Sequence, residues 1–296
     1  MQSNRNSAQQ SKMKKVELAM KKAVVRGLLR VKDSISTNKL YRMSTSLSDN
    51  QVYPDFCAKA NIDAALFSNF RRNEVYCLTL EHVSEEYGKL YLDTILKENV
   101  HLLKSIELFK ENDVWGNPRV FEYENVGKIS PTTLRYIKVL SDLLKLFSGL
   151  DGMKICEIGV GYGGQCRIID CATSPSAYTL VDIKPALMLT QRYLDNYILD
   201  SVLSYKTMNE LKVETYDLVI SNYAFTELPR KFQDVYLKKI ILNSNSGYIT
   251  YNEITPEAFE SYKRDELLRI IPNSYIIDEE PLTHAKNCII VWNKYN

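Results

Sequence analysis

The chain has 296 residues, 45% of them hydrophobic, enough for a sizeable core in one large domain or a domain with an extension. Thirty-eight Lys and Arg against 36 Asp and Glu leave a formal charge of +2, so there is neither a global basic field for nucleic acid nor an acidic one for cations. The six cysteines form no CxxC pair, and no window approaches the roughly 20 apolar residues of a membrane span or a signal-peptide core; a soluble cytoplasmic protein with reduced thiols is expected.

The opening MQSNRNSAQQS is polar and aperiodic, which predicts disorder. From Met13, the apolar residues Met13, Val16, Met20, Val24, Leu28 and Val31 recur every three or four positions, opposite Lys14, Lys15, Lys21, Lys22 and Arg26. This amphipathic helix lacks aromatic anchors, so packing on its own protein or a second subunit is expected rather than on a membrane. Residues 50 to 125 read as mostly helical, with His82 and His101 structural, and DVWGNPR at 113–119 is a turn cluster. ISPTTLRYIKVLSDLLKLF then begins a clear helix: Ser130 is the N-cap, Pro131 the first helical residue, and Leu134, Ile137, Leu140, Leu144 and Phe147 share a face. A boundary is placed before it, giving a helical region 1–128 (lid, acceptor platform or homo-oligomer interface) and a nucleotide-binding domain 129–296.

Beyond it, strands are expected at 153–158, 177–182, 202–206, 216–221 and 247–252, with helical stretches between most of them. Apolar runs separated by helices indicate an α/β fold with a parallel sheet covered on both faces. SYIIDEE and NCIIVWN are joined by the connection PLTHAK, too short for a crossover helix, so the last strand must run antiparallel to the one before. That is the Rossmann-like class I methyltransferase arrangement.

ICEIGVGYGGQC at 155–166 fits two fingerprints: GxGxxG of a dinucleotide site (Gly159, Gly161, Gly164), and ExGxGxG of an S-adenosylmethionine (SAM) site (Glu157, Gly159, Gly161, Gly163). Bare backbone at such a turn lets a nucleotide-like ligand approach. Glu157 suits the ammonium end of a methionine moiety, directly or through water, and would repel a pyrophosphate. Asp182 closes the next strand, where its two oxygens can accept both ribose hydroxyls, a device that NAD enzymes share. With Tyr162 in the turn, Ile183 beside Asp182, Met208 and Asn209 after the third strand, and Ser221 and Asn222 ending the fourth, these residues form the expected SAM site. An NAD-dependent oxidoreductase, or a SAM-fold binding subunit without catalysis in a glycan-assembly complex, are the alternatives.

KICEIGVGYGGQCRII, YTLVDIKPALMLTQRYL, YDLVISNYAFTELPRKFQDVYLKKII and GYITYN resemble successive motifs of the sugar O-methyltransferase family, a branch of the class I SAM-dependent methyltransferases. The likeness covers roughly residues 113–296 and implies methyl transfer to a sugar hydroxyl of a nucleotide-sugar or surface-glycan precursor in polysaccharide biosynthesis. It also implies that Asn222 and Tyr223 face the transferred methyl, with Tyr223 touching substrate. Arg135 is the candidate for the SAM carboxylate or an anionic acceptor. A base beyond the carboxyl ends of the strands would add about 10² to 10⁴ in rate, and His284, Glu253 and Glu227 are the candidates, in that order. No HxxxH spacing or Cys/His quartet appears, so no metal is expected.

Overall fold

The structure is a computed structural model that describes residues 51–293. The polar opening, the amphipathic segment 13–31 and any subunit interface built from them lie outside the described residues. The described residues belong to one compact unit.

The described chain starts with a helical layer: α1 (Val52–Ile62), α2 (Ala64–Ser68), α3 (Glu74–Thr79), α4 (Glu85–Glu98) and α5 (Ile106–Lys110). A small hairpin, β1 (Phe121–Tyr123) and β2 (Gly127–Ile129), leads into α6 (Pro131–Leu146). Its start is as the sequence demands: the Ser130 hydroxyl accepts from the Thr132 N–H, and Pro131 occupies the first turn, where it has no hydrogen bond to lose.

A seven-stranded sheet follows. Its strands are β3 (Lys154–Ile158), β4 (Ala177–Val181), β5 (Val202–Lys206), β6 (Tyr216–Asn222), β7 (Ser244–Tyr251), β8 (Ser274–Ile277) and β9 (Cys288–Asn293). The order is β5-β4-β3-β6-β7-β9-β8, with β3 to β7 parallel and β9 antiparallel to both of its neighbours. The expected arrangement of parallel strands closed by an antiparallel hairpin is therefore present. Because β9 reverses between β7 and β8, β8 points the same way as the parallel strands and ends on the same edge.

Alternate strand residues enter opposite cores. Ile155, Leu180 and Ile220 pack with α6, α7 (Gly164–Ala172), α8 (Lys184–Leu194) and the helical layer; Cys156, Val219 and Ile249 pack with α9 (Arg230–Lys239) and α10 (Arg264–Ile270). Among the described residues no helix is long and apolar enough to cross a membrane.

One buried charge ties the helical layer to the sheet. Arg71 is fully buried and donates from Nε to Glu81 (2.6 Å), from Nη1 to the Asn112 carbonyl (2.9 Å) and Asp113 (3.1 Å), and from Nη2 to Ser130 Oγ (3.3 Å). The same acids grip the first turn of α6: Asp113 accepts from the Ser130 N–H and the Thr133 hydroxyl, and Glu81 from the Thr132 hydroxyl. The guanidinium also lies 4.6 Å from the centre of the Tyr162 ring in the glycine turn. Removing one partner of a buried ion pair strands the other without water, at about 3–5 kcal/mol. Arg71→Ala is expected to lower stability by about that amount in urea unfolding; a loss below about 1 kcal/mol would show that the network does not anchor the layer.

Candidate active site

The glycine turn joins β3 to α7. Gly159, Gly161 and Gly163 all have positive φ (79°, 58° and 88°), a region that other residues enter only under strain. Their surroundings differ. A Cβ at Gly159 would overlap the Cβ of Ala224, and one at Gly163 would press on Thr190 and Leu194 of α8. Gly164 is closed by Tyr136 and Tyr162. At Gly161 only the side chain of Leu80 stands nearby, at 3.0 Å. Most of these glycines are thus explained by the close approach of other elements, and Gly161 alone lies under a movable side chain. Thr190 pins the turn by donating its hydroxyl to the Gly161 carbonyl at 2.9 Å.

Tyr162 turns inward. Its ring is fully buried against Tyr193, Phe70 and Tyr136, so the turn can offer a ligand its backbone there but not its side chain. Glu157 is also buried, and its carboxyl accepts from the Tyr178 hydroxyl at 2.8 Å. Burial pushes this carboxyl up to about 8, against the lowering effect of that hydrogen bond. Asp182, partly buried at the end of β4, accepts from the N–H groups of Val160 (2.9 Å), Gly161 (3.3 Å) and Ile183 (2.7 Å). Burial pushes it up to about 6, although all three bonds favour the charged form. It has no cationic partner among the described residues.

Ser221 is a clip between strands: its buried hydroxyl donates to the Ile158 carbonyl at 3.0 Å and accepts from the Phe225 N–H. Met208 and Asn209 lie in a short turn after β5, capped by Thr207, with Met208 partly buried and Asn209 exposed.

At the carboxyl edge a cavity of about 20 Å³ opens between α4, α6, β6, β7 and the segment after β8. Arg135, Tyr136, Asn222, Tyr223 and Glu279 line it, so three residues singled out in the sequence, Arg135, Asn222 and Tyr223, do meet. Arg135 is partly buried, with one long hydrogen bond of 3.5 Å to the Leu80 carbonyl and no carboxylate partner among the described residues. Leu80 thereby touches both the cavity wall and the glycine turn.

The three proposed bases stand apart from this cavity. His284 is half-buried in the β8–β9 loop, its Nδ1 accepting from the Lys286 N–H at 3.4 Å. Glu253 pairs with Lys286 Nζ at 2.8 Å, and that bond holds its carboxyl below the usual carboxylate range. Glu227 accepts from Asn252 Nδ2 at 2.7 Å, and burial raises its carboxyl above that range. Two acids do reach the cavity, the exposed Glu280 and the buried Glu279; both fall inside the strand-like run SYIIDEE, and the buried one is Glu279. The edge rule that selected His284 also points to it, because β8 stops at Ile277 and Glu279 follows on the same edge. Among the described residues no three His, Cys, Asp or Glu side chains are grouped to hold a metal ion.

No protein-family profile and no curated protein matches the chain. Solved structures do. The chain is similar to TehB from Haemophilus influenzae at 15% identity, over 53% of this chain and 61% of that one, with a TM-score of 0.41. It is similar to the methyltransferase domain of bacterial CtHen1 at 12% identity (54% and 97% covered, TM-score 0.40). A third is the pyocyanin biosynthetic protein PhzM at 12% identity (53% and 56% covered, TM-score 0.39). Similarities at this level fix neither donor nor acceptor.

Both raised acids keep protons in the folded chain at pH values where the unfolded chain has released them. Their stabilising effect is therefore complete below the unfolded values of 3.8 (Asp182) and 4.5 (Glu157) and is lost as pH rises through about 6 and about 8. The melting temperature of the ligand-free protein should fall across this window, and Glu157→Gln, which still accepts from Tyr178, should remove the upper part of the fall. An unaltered slope in scanning calorimetry would contradict the burial of an uncompensated acid at this position.

Proposed function

We propose that this protein is a SAM-dependent methyltransferase that methylates a sugar hydroxyl, with residues 129–296 holding the donor and residues 1–128 serving as lid, acceptor platform or homo-oligomer interface. The observation that carries the reading is the pairing of the bare-backbone turn after β3 with Asp182, a carboxylate without a cation, at the end of the adjacent parallel strand β4. Ligands of open α/β sheets bind in this crevice.

The residues present fit the donor. Asp182 spends part of its capacity on main-chain N–H groups, and its remaining lone pairs suit ribose hydroxyls. A carboxylate at Asp182 with no cation beside it among the described residues disfavours a pyrophosphate lodged against it. When bound, SAM supplies a methyl group on a positively charged sulfur. The chain's own task is then to orient and exclude water: Gly161 and Leu80 would bound the crevice, Met208 and Asn209, in the turn after β5, would meet the adenine, and Arg135 is available to a carboxylate of the donor or an anionic part of the acceptor. The sugar assignment is supported by the resemblance of the motifs to sugar O-methyltransferases.

Calorimetry with S-adenosylhomocysteine tests the donor site. The wild type should bind, and Asp182→Ala should weaken binding at least about tenfold, or about 1.4 kcal/mol. Equal affinity of the two, or preferential binding of NAD, would refute the assignment. Labelled methyl from SAM should then appear in nucleotide-linked hexoses.

A further inference from the structure

We propose that Tyr223 and Glu279 form the pair that receives the acceptor's proton, a role resting on the methyl-transfer reading above. Tyr223 follows β6 directly, and its backbone holds φ of 68°. A bulky residue in that region is strained, and such positions persist where surrounding structure enforces them. Here the enforcement is visible: the Tyr223 N–H donates to the Thr250 carbonyl on β7 at 3.1 Å, and the Tyr223 carbonyl accepts from the Thr226 hydroxyl at 2.8 Å. The strained turn throws the phenol into the cavity, where its hydroxyl donates to Glu279 and lies 3.3 Å from Thr283 Oγ1.

Glu279 is only 6% exposed, yet among the described residues no Lys, Arg or His pairs with it. Its oxygens are held instead by the Thr283 N–H (2.8 Å) and hydroxyl (2.8 and 2.9 Å), and Asn287 Nδ2 fixes that hydroxyl at 2.8 Å. Nothing neutral in this cluster requires a buried carboxylate, so its cost is unexplained by packing. The cavity that Tyr223 and Glu279 line, at about 20 Å³, admits a group the size of one water molecule or one hydroxyl.

The step balances without another reactant. As the acceptor oxygen bonds to the methyl carbon and the carbon–sulfur bond breaks, the hydroxyl proton passes to Tyr223 Oη and the phenol's own proton to Glu279. A cationic sulfonium and an anionic carboxylate become a neutral thioether and a neutral carboxylic acid, which then loses its proton to water. Opposite charges that cancel in a poorly solvated site favour the transfer.

The test uses the full chain with tritiated SAM and a mixture of UDP- and dTDP-linked hexoses as acceptors. Tyr223→Phe and Glu279→Gln should each lower kcat about 10²- to 10⁴-fold while S-adenosylhomocysteine affinity stays within about twofold and the melting temperature holds. The double variant should be no slower than either single one, because the two residues act as one unit. His284→Ala and Glu227→Gln should stay within about threefold of wild type. Losses that multiply in the double variant, near-normal rates in the single variants, or a collapse confined to His284→Ala or Glu227→Gln would each overturn the pair. A wild type that binds donor but labels no hexose overturns the pair with its acceptor. A wild type that binds no donor overturns the underlying reading first, a result calorimetry separates from the others.

Discussion

A guanidinium removed from water governs this structure. Arg71 cannot be left unpaired in the interior, so Glu81, the Asn112 carbonyl, Asp113 and Ser130 must be brought to it from three separate stretches of chain. Those stretches are the end of the α3 region, the approach to the hairpin, and the start of α6. Once they are gathered, the helical layer has a fixed place on the sheet, and the Tyr162 ring under the guanidinium holds the glycine turn against that layer.

The candidate site inherits its geometry from this arrangement. Leu80 lies next to Glu81, and its side chain is what stands over Gly161, while its carbonyl receives Arg135. A residue of the helical layer thus covers the glycine turn and borders the cavity beyond it. Ser221 joins the ends of β3 and β6 from the other direction, so the two halves of the site share one rigid edge.

Charge is distributed along that edge in a consistent way. Glu157, Asp182 and Glu279 are acids deprived of water and held by neutral donors, whereas Glu253, beside an exposed lysine, is satisfied already. Arg135 is the complementary case, a partly buried cation that meets a carbonyl and the Tyr136 ring but no carboxylate among the described residues. An edge carrying both kinds of unmatched charge suits a ligand with separated positive and negative groups.

Much of this was legible in the chain itself. Apolar runs long enough to be buried on both faces fixed the parallel strands, Ser130 followed by Pro131 fixed the start of α6, and glycines between a strand and a helix fixed the turn, because these are demands that neighbouring residues make on one another's backbone and on the nearest layer of solvent. Asp182 was readable for the same reason, as the residue that closes a strand. Which side chains turn toward a ligand was not readable. His284, Glu253 and Glu227 follow strands on the correct edge, yet Lys286 and Asn252 occupy them, while Glu279 reaches the cavity because β8, paired antiparallel to the reversed β9, ends on the same edge as the parallel strands. Arg71 likewise gives no local sign of its partners, which lie 10 to 59 residues away. Periodicity and backbone preference are short-range and written in the sequence; the pairing of buried charges is settled only when distant segments compete for the same few donors and acceptors in space.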